Sequence, residues 1–162
     1  EFWAASDQKF KRPLEYVAAI LHSALITVGE AGFRTVLNSL RTLGQAPFNW
    51  QPPNGYPDVQ GYWASTNGLL NRWNFAFALA EGRRSGLRVD GAALVGAART
   101  PTQLVDQLSD RVLHRPLADV DRTQLLAYIG GDPNAPLSAS ALSVKTAGLL
   151  GLLLASPYFQ LR

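Results

Sequence analysis

The stretch Ala147-Gly-Leu-Leu-Gly-Leu-Leu-Leu-Ala155 is the most apolar run of the chain, and it decides the class of fold. Lys145 lies just before it, and Ser156-Pro157 follows directly. A proline disfavours helical geometry in the residue before it, so this run should end a helix that begins at Ser138 or Ser140. The run is far shorter than the roughly 20 residues that a membrane span needs. The sequence therefore predicts a buried helix and no membrane span.

Leu and Ala supply most of the apolar content of this chain of 162 residues, 47% of which are hydrophobic. There are 25 Leu and 22 Ala but only 13 Val and Ile together. Leu and Ala favour helices, whereas β-branched residues favour strands. We therefore predict an all-α fold, a helical bundle of about six helices with no strand, in a single helical domain over residues 1–162.

Outward from that helix, apolar residues recur at three- and four-residue spacing along most of the chain. This spacing predicts helices over 13–29 and 33–43, joined as a helical hairpin by the turn 29–32. It also predicts a helix from Ser65 or Thr66 to about Glu81.

The second half of the chain continues the helical pattern after a Gly- and Arg-rich segment, 82–99, which holds at most a short helix over 92–98. Thr100-Pro101-Thr102-Gln103 has the pattern of a capping box with proline at the first helical position, so a helix should start there. A further helix is predicted over about 121–129, ending at Gly130.

The periodicity disappears over residues 44–63, where the sequence holds four prolines and three glycines. Long irregular loops in compact domains are usually functional or disordered. The aromatic residues of this loop argue against disorder. They are Phe48, Trp50, Tyr56, Tyr62 and Trp63. We therefore expect loop 44–63 to be ordered, either as a site or as a plug that packs onto the bundle.

Charge and composition exclude several classes of function. The chain carries 15 Lys and Arg against 12 Asp and Glu, and its two basic clusters are short and far apart in sequence, so nucleic acid is not an expected partner. There is no cysteine, and His22 and His114 have no metal-binding spacing, so no metal site is expected. No phosphate-binding glycine loop is present, and we expect no cofactor.

Five local patterns, in this order and spacing, resemble the C-terminal part of the bacterial family catalogued as domain of unknown function 1800. They are Lys9-Phe-Lys-Arg-Pro-Leu-Glu15, Leu43-Gly-Gln-Ala-Pro-Phe48, Pro52-Pro-Asn-Gly-Tyr-Pro-Asp58, Leu70-Asn-Arg-Trp-Asn-Phe75 and Leu154-Ala-Ser-Pro-Tyr-Phe-Gln-Leu-Arg162. Two departures are Tyr56, where the family usually has tryptophan, and Tyr158, where it usually has glutamate.

The resemblance implies a helical bacterial protein that is often exported, and hence a periplasmic or extracellular location. It implies no reaction, because the family has no established one. The chain lacks methionine and opens on Glu1-Phe2-Trp3, so we interpret it as the C-terminal piece of a longer protein. The N-terminal portion of that protein is then an expected partner.

Loop 44–63 and the helix after it hold the best candidates for ligand binding. Aromatic faces beside amides and a guanidinium are the materials of a pocket for a saccharide, a peptide or a protein ligand. The candidates are Trp50, Asn54, Tyr56, Asp58, Trp63, Asn71 and Arg72. In the alternative interpretation, these aromatic side chains only anchor the loop, and the polar ones satisfy its carbonyl groups.

A binding or assembly role for loop 44–63 is the function that we favour over an enzyme. The alternative is part of a hydrolase that acts on an extracellular polymer, with Asp58 and Glu15 as its carboxylates and a site completed by the N-terminal portion. His22 is a weaker candidate for a general base. Lys11 and Glu15 lie four residues apart at a helix start, and we expect them to form a structural ion pair.

Overall fold

A computed structural model describes residues 9–161 of the chain. The opening Glu1-Phe2-Trp3 and the last residue, Arg162, lie outside the described residues. Within 9–161, helices dominate and one small sheet of two strands is present. The elements are α1 (Pro13–Ser23), β1 (Ile26–Val28), α2 (Glu30–Thr42), α3 (Gln60–Trp63), α4 (Thr66–Ala80), β2 (Leu87–Val89), α5 (Gly91–Val95), α6 (Pro101–Leu113), α7 (Asp119–Ile129), α8 (Ala139–Ala155) and α9 (Pro157–Gln160).

Helix α8 is the centre of the bundle, as its apolar run predicts. Its four fully buried leucines lie among α4, α6 and α5. They are Leu149, Leu150, Leu153 and Leu154. Helix α4 packs closely against α8, since a Cβ on Gly151 would lie only 2.5 Å from the Phe77 ring. The helix ends at Ala155, before Ser156-Pro157, and no helix within residues 9–161 is long and apolar enough to cross a membrane.

Helices α1 and α6 complete the core around α4 and α8. Tyr16, Val17 and Ile20 of α1 are buried, as are the apolar residues of α6 at the expected spacing. Helix α6 starts at the predicted capping box, in which Thr100 Oγ1 accepts from the Gln103 backbone N–H at 3.3 Å. The Gln103 side chain in turn accepts from the Thr100 backbone N–H at 3.3 Å. The predicted start of α6 is confirmed.

The predicted helix over 13–29 is too long. Helix α1 ends at Ser23, and Leu25 then adopts a positive φ of 50°, which takes the chain out of helical geometry. Ile26–Val28 form β1, which pairs antiparallel with β2 with Ile26 opposite Val89. Ile, Thr and Val favour strands, and a partner strand distant in sequence satisfies this preference. The expectation of no strand, and of a hairpin turn over 29–32, was therefore wrong.

The six long helices agree with the predicted number, and their bounds outside α1 differ from the prediction by at most about three residues. Three short helices, α3, α5 and α9, are added to them. Among these, α5 corresponds to the short helix expected over 92–98. The fold class is all-α, as predicted, with one small sheet at its side.

The two ends of the described chain lie side by side. Phe10 and Leu161 form an isolated antiparallel bridge, and the Lys11 backbone N–H donates to the Gln160 carbonyl at 2.8 Å. Helix α9 follows α8 directly and brings Phe159 into contact with Tyr16, at 5.8 Å between ring centroids. This pairing fixes the segment before α1, which carries several charged residues of the candidate site.

Replacing Thr100 by alanine should lower the free energy of unfolding by about 1 kcal/mol, because the first turn of α6 loses its side-chain cap. Denaturant unfolding measures the change. Thr66→Ala removes the same hydroxyl from an exposed position in the first turn of α4 and is the control, with an expected change below about 0.5 kcal/mol. Equal losses in both variants would show that the capping box contributes nothing specific.

Candidate functional site

Four rings of loop 44–63 form one contiguous cluster, which we call the aromatic cluster: Trp50, Tyr56, Tyr62 and Trp63. Ring centroids lie 5.0 Å apart for Trp50 and Tyr56, and 4.7 Å apart for Tyr62 and Trp63. Trp50 also meets Tyr62 edge to face at 6.1 Å. Aromatic pairs in this range of distances attract each other beyond their shared apolar area. The cluster therefore gives an irregular loop a small core of its own.

Most polar groups of the aromatic cluster are satisfied inside the loop. The Tyr56 hydroxyl donates to the Ala46 carbonyl at 2.7 Å, and the Trp63 indole N–H donates to the Pro57 carbonyl at 2.8 Å. The Trp50 indole N–H donates to Asn54 Oδ1 at 3.1 Å. Tyr56 and Trp63 thus hold the loop in shape, and Trp63 is buried. Four of the predicted ligand-binding residues therefore contact one another.

The outer side of the loop carries exposed apolar side chains. Phe48 has a relative exposure of 107% and a φ of +60°, a left-handed conformation that phenylalanine rarely adopts. Val59 and Tyr62 are also exposed. Helix α3 carries Tyr62, which also belongs to the aromatic cluster. We call Phe48, Val59 and Tyr62 the exposed face of the loop.

A group of charged residues lies beside the aromatic cluster; we call Lys9, Arg12, Glu15 and Asp58 the Arg12 cluster. Lys9 Nζ lies 2.5 Å from Asp58 Oδ2, and Arg12 Nε lies 3.8 Å from Asp58 Oδ1. Arg12 also forms an ion pair with Glu15 at 2.8 Å. The hydrogen bond with Glu15 raises the pKa of Arg12, and the negative charges of Glu15 and Asp58 add to this. The structure therefore brings both candidate catalytic carboxylates to one guanidinium.

Glu15 also has a local structural role, since its Oε2 accepts from the Arg12 backbone N–H at 2.9 Å at the start of α1. Lys11, its expected ion-pair partner, donates through Nζ to the Phe159 carbonyl and lies 4.4 Å from the Phe159 ring centroid. The Lys11–Glu15 ion pair stays a prediction. His22 lies at the other end of α1, about 10 Å from Glu15 along the helix axis, so the two candidate catalytic groups are well separated.

Arg72 lies in the interior, with a relative exposure of 1%. Its Nη1 donates to Gln160 Oε1 at 2.9 Å and its Nη2 to the Lys11 carbonyl at 2.7 Å. The guanidinium also lies 4.2 Å from the Phe10 ring centroid. Burial lowers the pKa of Arg72 to about 10. These contacts join α4 to both ends of the described chain. Arg72 therefore stabilises the segment that carries Lys9 and Arg12.

Tyr16 reinforces the same junction. Its hydroxyl lies 3.2 Å from the backbone carbonyls of Arg72 and Leu154. Burial raises the pKa of Tyr16, which keeps the phenol neutral, and the nearby Arg72 charge opposes this only in part. A neutral phenol can donate a hydrogen bond to a carbonyl oxygen, so Tyr16 ties α1 to α4 and α8.

Asn71 is placed on a different side from its neighbour Arg72. Its Nδ2 donates to the Thr42 carbonyl at 3.5 Å, and it lines a small pocket of about 260 Å³ between α2, α4 and the turn after α4. A larger groove of about 1500 Å³ lies between β2, α5 and α8, lined by Arg88, Arg99 and Tyr128 among others. Residues 9–161 contain no group of three or more His, Asp or Glu side chains that could hold a metal ion.

Several residues of the site were missed by sequence reasoning. Lys9 and Arg12 stood out only within a short basic cluster and a family motif, and their partner Asp58 lies 49 positions from Lys9. Gln45 is buried and accepts from the Leu14 backbone N–H through Oε1 at 2.8 Å, which fastens the loop to the start of α1. Phe48 was noted only among the loop aromatics. Its position between a proline and an asparagine signals a turn, but not a fully exposed ring.

Comparison with known proteins gives one match, which covers essentially the whole chain. A sequence model of the family described as "Protein of unknown function (DUF1800)" matches residues 1–161. No curated protein and no solved structure matches the chain. The resemblance found from the ordered motifs is thereby confirmed. The chain belongs to the DUF1800 family of proteins of unknown function.

Proposed function

We propose that this domain is a binding and assembly module, and that the exposed face of loop 44–63 recognises a protein partner through Phe48. The observation that carries the proposal is the combination of a fully exposed phenylalanine with a left-handed backbone inside an ordered loop. A left-handed conformation costs an L-residue about 1–2 kcal/mol. Backbone strain of this kind concentrates at functional sites.

The surroundings of Phe48 have the organisation of a protein interface. Phe48, Val59 and Tyr62 are exposed apolar side chains on one loop, and the ring packing of the aromatic cluster restrains that loop. A rigid loop loses little conformational entropy on binding. The Arg12 cluster supplies charged groups nearby, as the polar rim does in many interfaces. An apolar, aromatic centre favours a protein partner over a saccharide, which needs more hydrogen-bonding groups at the point of contact.

The carboxylates of the hydrolase hypothesis support the binding role better than catalysis. Glycoside hydrolysis by two carboxyl groups requires one of them to be protonated as a general acid. Asp58 and Glu15 both lie beside Arg12, and cationic neighbours favour the charged form of a carboxylate. Paired to cations, these side chains are suited to shaping the loop and to interface contacts.

The family likeness supports a bacterial origin and export, and we propose a periplasmic or extracellular location on that ground alone. Cell fractionation of the tagged full-length protein tests it. Recovery with a periplasmic or secreted marker is the expected result, and recovery with a cytoplasmic marker would overturn it.

The experiment for the proposed function places a photo-crosslinking amino acid at position 48 of the full-length protein in cells that produce it. Phe33 is the matched control position, because it is also an exposed phenylalanine but lies on α2. We expect one protein to crosslink from position 48 and not from position 33. That protein is then purified, and its affinity for the wild-type domain and for Phe48→Ala and Phe33→Ala is measured.

Phe48→Ala should weaken binding by about 30-fold, the effect of an interface hot spot, while Phe33→Ala changes it less than about twofold. Equal affinities of the two variants would overturn the proposal. Crosslinking only within the same polypeptide would assign the exposed face to intramolecular packing. A soluble saccharide that quenches Trp50 fluorescence equally in wild type and Phe48→Ala would identify a saccharide site in place of a protein interface.

Phe48→Gly should raise the free energy of unfolding by about 0.5–1 kcal/mol, because glycine adopts a positive φ without strain, while it weakens partner binding at least as much as Phe48→Ala does. Phe33→Gly should instead lower the free energy of unfolding by up to about 1 kcal/mol, since position 33 lies inside a helix. Denaturant unfolding of both variants measures the two changes in the free energy of unfolding. A loss of stability in Phe48→Gly would show that Phe48 contributes to the fold.

A further inference from the structure

The small pocket of about 260 Å³ is lined almost entirely by polar side chains. It lies between α2, the middle of α4 and the turn that follows α4. Its lining includes Asn38 and Thr42 of α2, Asn71 of α4, and Arg84 and Ser85 of the turn. No Asp or Glu is among its lining residues within 9–161. It is therefore a concave site rich in hydrogen-bonding groups and free of carboxylates.

Arg83 and Arg84 both line this pocket, and Arg83 is paired with Glu81, so we consider Arg84. Its Nε is enclosed and has no hydrogen-bond partner among residues 9–161. The guanidinium lies 5.2 Å from the Phe75 ring centroid, so an apolar ring borders it on one side. Burial lowers the pKa of Arg84, and the neighbouring charge of Arg83 lowers it further. The charged groups that act on Arg84 thus add positive charge and do not compensate it.

Two other arginines of the described residues have acceptors for their guanidinium groups. Arg72, the most buried, donates to the side chain of Gln160 and to the carbonyl of Lys11. Arg83, next to Arg84, forms an ion pair with Glu81 at 2.5 Å. An enclosed donor without an acceptor costs the desolvation of that group, and the cost is greater for a charged group. The position of Arg84 therefore carries a desolvation cost that an anion beside the guanidinium would offset.

We propose that this pocket binds a small organic or inorganic oxyanion, with Arg84 as its principal ligand. The terminal Nη–H groups of an arginine form a fork that matches two oxygen atoms of a carboxylate or a phosphate. Asn71, whose long hydrogen bond to Thr42 leaves its amide available, supplies a further donor. The volume of the pocket is just below the usual range for small-molecule sites, which suits a ligand of few atoms.

This site is separate from the exposed face of loop 44–63 and does not depend on the proposed protein interface. The test is thermal unfolding of the purified domain with inorganic phosphate, with sulfate and with acetate, each compared with sodium chloride at equal ionic strength. Ligands that bind the folded state raise the melting temperature, and the increase grows with the logarithm of the ligand concentration once this exceeds the dissociation constant. Isothermal titration then gives the dissociation constant of whichever ion stabilises the domain. Phosphate and sulfate report a tetrahedral ligand, and acetate reports a carboxylate.

Four variants sharpen the test. Arg84→Gln should weaken anion binding by at least about tenfold, the loss of one charge-assisted hydrogen bond. Arg111→Gln, an exposed change of the same charge on α6, should leave binding within about twofold. Asn71→Ala keeps Arg84 but removes the second proposed donor, so it should also weaken anion binding. Arg84→Lys should recover only part of the affinity, because an ammonium group lacks the fork.

The proposal is overturned if none of the three anions stabilises the domain beyond sodium chloride, or if Arg84→Gln and Arg111→Gln lose the effect equally. The second result would identify general screening of surface charge. Retention of full binding in both Arg84→Gln and Asn71→Ala would also overturn it. Because Arg84→Gln removes an enclosed, uncompensated charge, this variant should keep the melting temperature of the unliganded domain, which circular dichroism checks.

Discussion

Replacing Arg72 by alanine should lower the free energy of unfolding by about 3–5 kcal/mol, and it is among the two largest effects expected for this domain. The substitution removes the donors for Gln160 Oε1 and for the Lys11 carbonyl, leaving a buried side-chain amide without its partner. It also leaves a cavity against the rings of Phe10 and Tyr16. Each enclosed acceptor left unpaired costs about 1–3 kcal/mol, and the cavity adds to this.

Arg122→Ala is the matched control for this experiment. Arg122 also makes two hydrogen bonds through its guanidinium, at 2.7 and 2.8 Å, but to the exposed Asp106. Exposed ion pairs contribute at most about 1 kcal/mol, so denaturant unfolding should separate the two alanine variants by at least about 2 kcal/mol. Arg72→Lys should remain well below wild type, since a single ammonium cannot replace the two directions of the fork. Equal losses for Arg72→Ala and Arg122→Ala would contradict the central role of Arg72.

Hydrogen exchange gives a second readout that a general loss of packing would not produce. The Lys11 backbone N–H donates to the Gln160 carbonyl, and the Arg72 guanidinium donates hydrogen bonds to both residues. In Arg72→Ala this amide should lose protection before the amides of α8 do. The same segment carries Lys9 and Arg12, so the Arg12 cluster should loosen with it. Arg72 thus acts on the candidate site indirectly, as a positioning residue.

The starts and ends of helices could be predicted from the sequence where they depend on neighbouring residues. The capping box at Thr100 and the proline after Ser156 act within one helical turn, so the bounds of α6 and the end of α8 follow from neighbouring residues. The aromatic cluster was also accessible, because its rings all belong to one loop. The exposed position of Phe48 was not, because it depends on a single left-handed residue.

Features that depend on distant partners could not be predicted in the same way. The strand at Ile26–Val28 continues an apolar pattern that also fits a helix, and only its pairing with Leu87–Val89 decides between the two. Arg72 was a ligand-binding candidate because its guanidinium accompanies aromatic and amide side chains, the materials of a binding pocket. Its actual partners lie 61 and 88 positions away, at the two ends of the described chain. Long-range pairing therefore decided the parts of the site that the local pattern left open.

The second large effect is expected at Gly86, in the turn before β2. Gly86 has a φ of +73°, and a Cβ at this position would lie 2.1 Å from the Gly32 backbone nitrogen and 2.6 Å from its Cα. Backbone atoms cannot rotate out of the way as a side chain can. The Gly86 carbonyl also accepts from the Gly29 N–H at 2.8 Å, which fixes the start of α2 against the turn. The contact therefore couples α2 to the sheet through two glycines.

Gly86→Ala should lower the free energy of unfolding by about 3–5 kcal/mol, the sum of a strained φ and a clash between backbones. Gly82→Ala separates the two contributions. Gly82 lies in the same turn with a φ of +70°, and no described residue beyond its chain neighbours has a heavy atom within 4 Å of where its Cβ would lie. This variant should cost only about 1 kcal/mol, which is the conformational part alone. Denaturant unfolding of both variants measures the difference. Similar losses at both positions would mean that the turn moves freely away from α2, and that the close approach of Gly32 and Gly86 does not hold α2 in place.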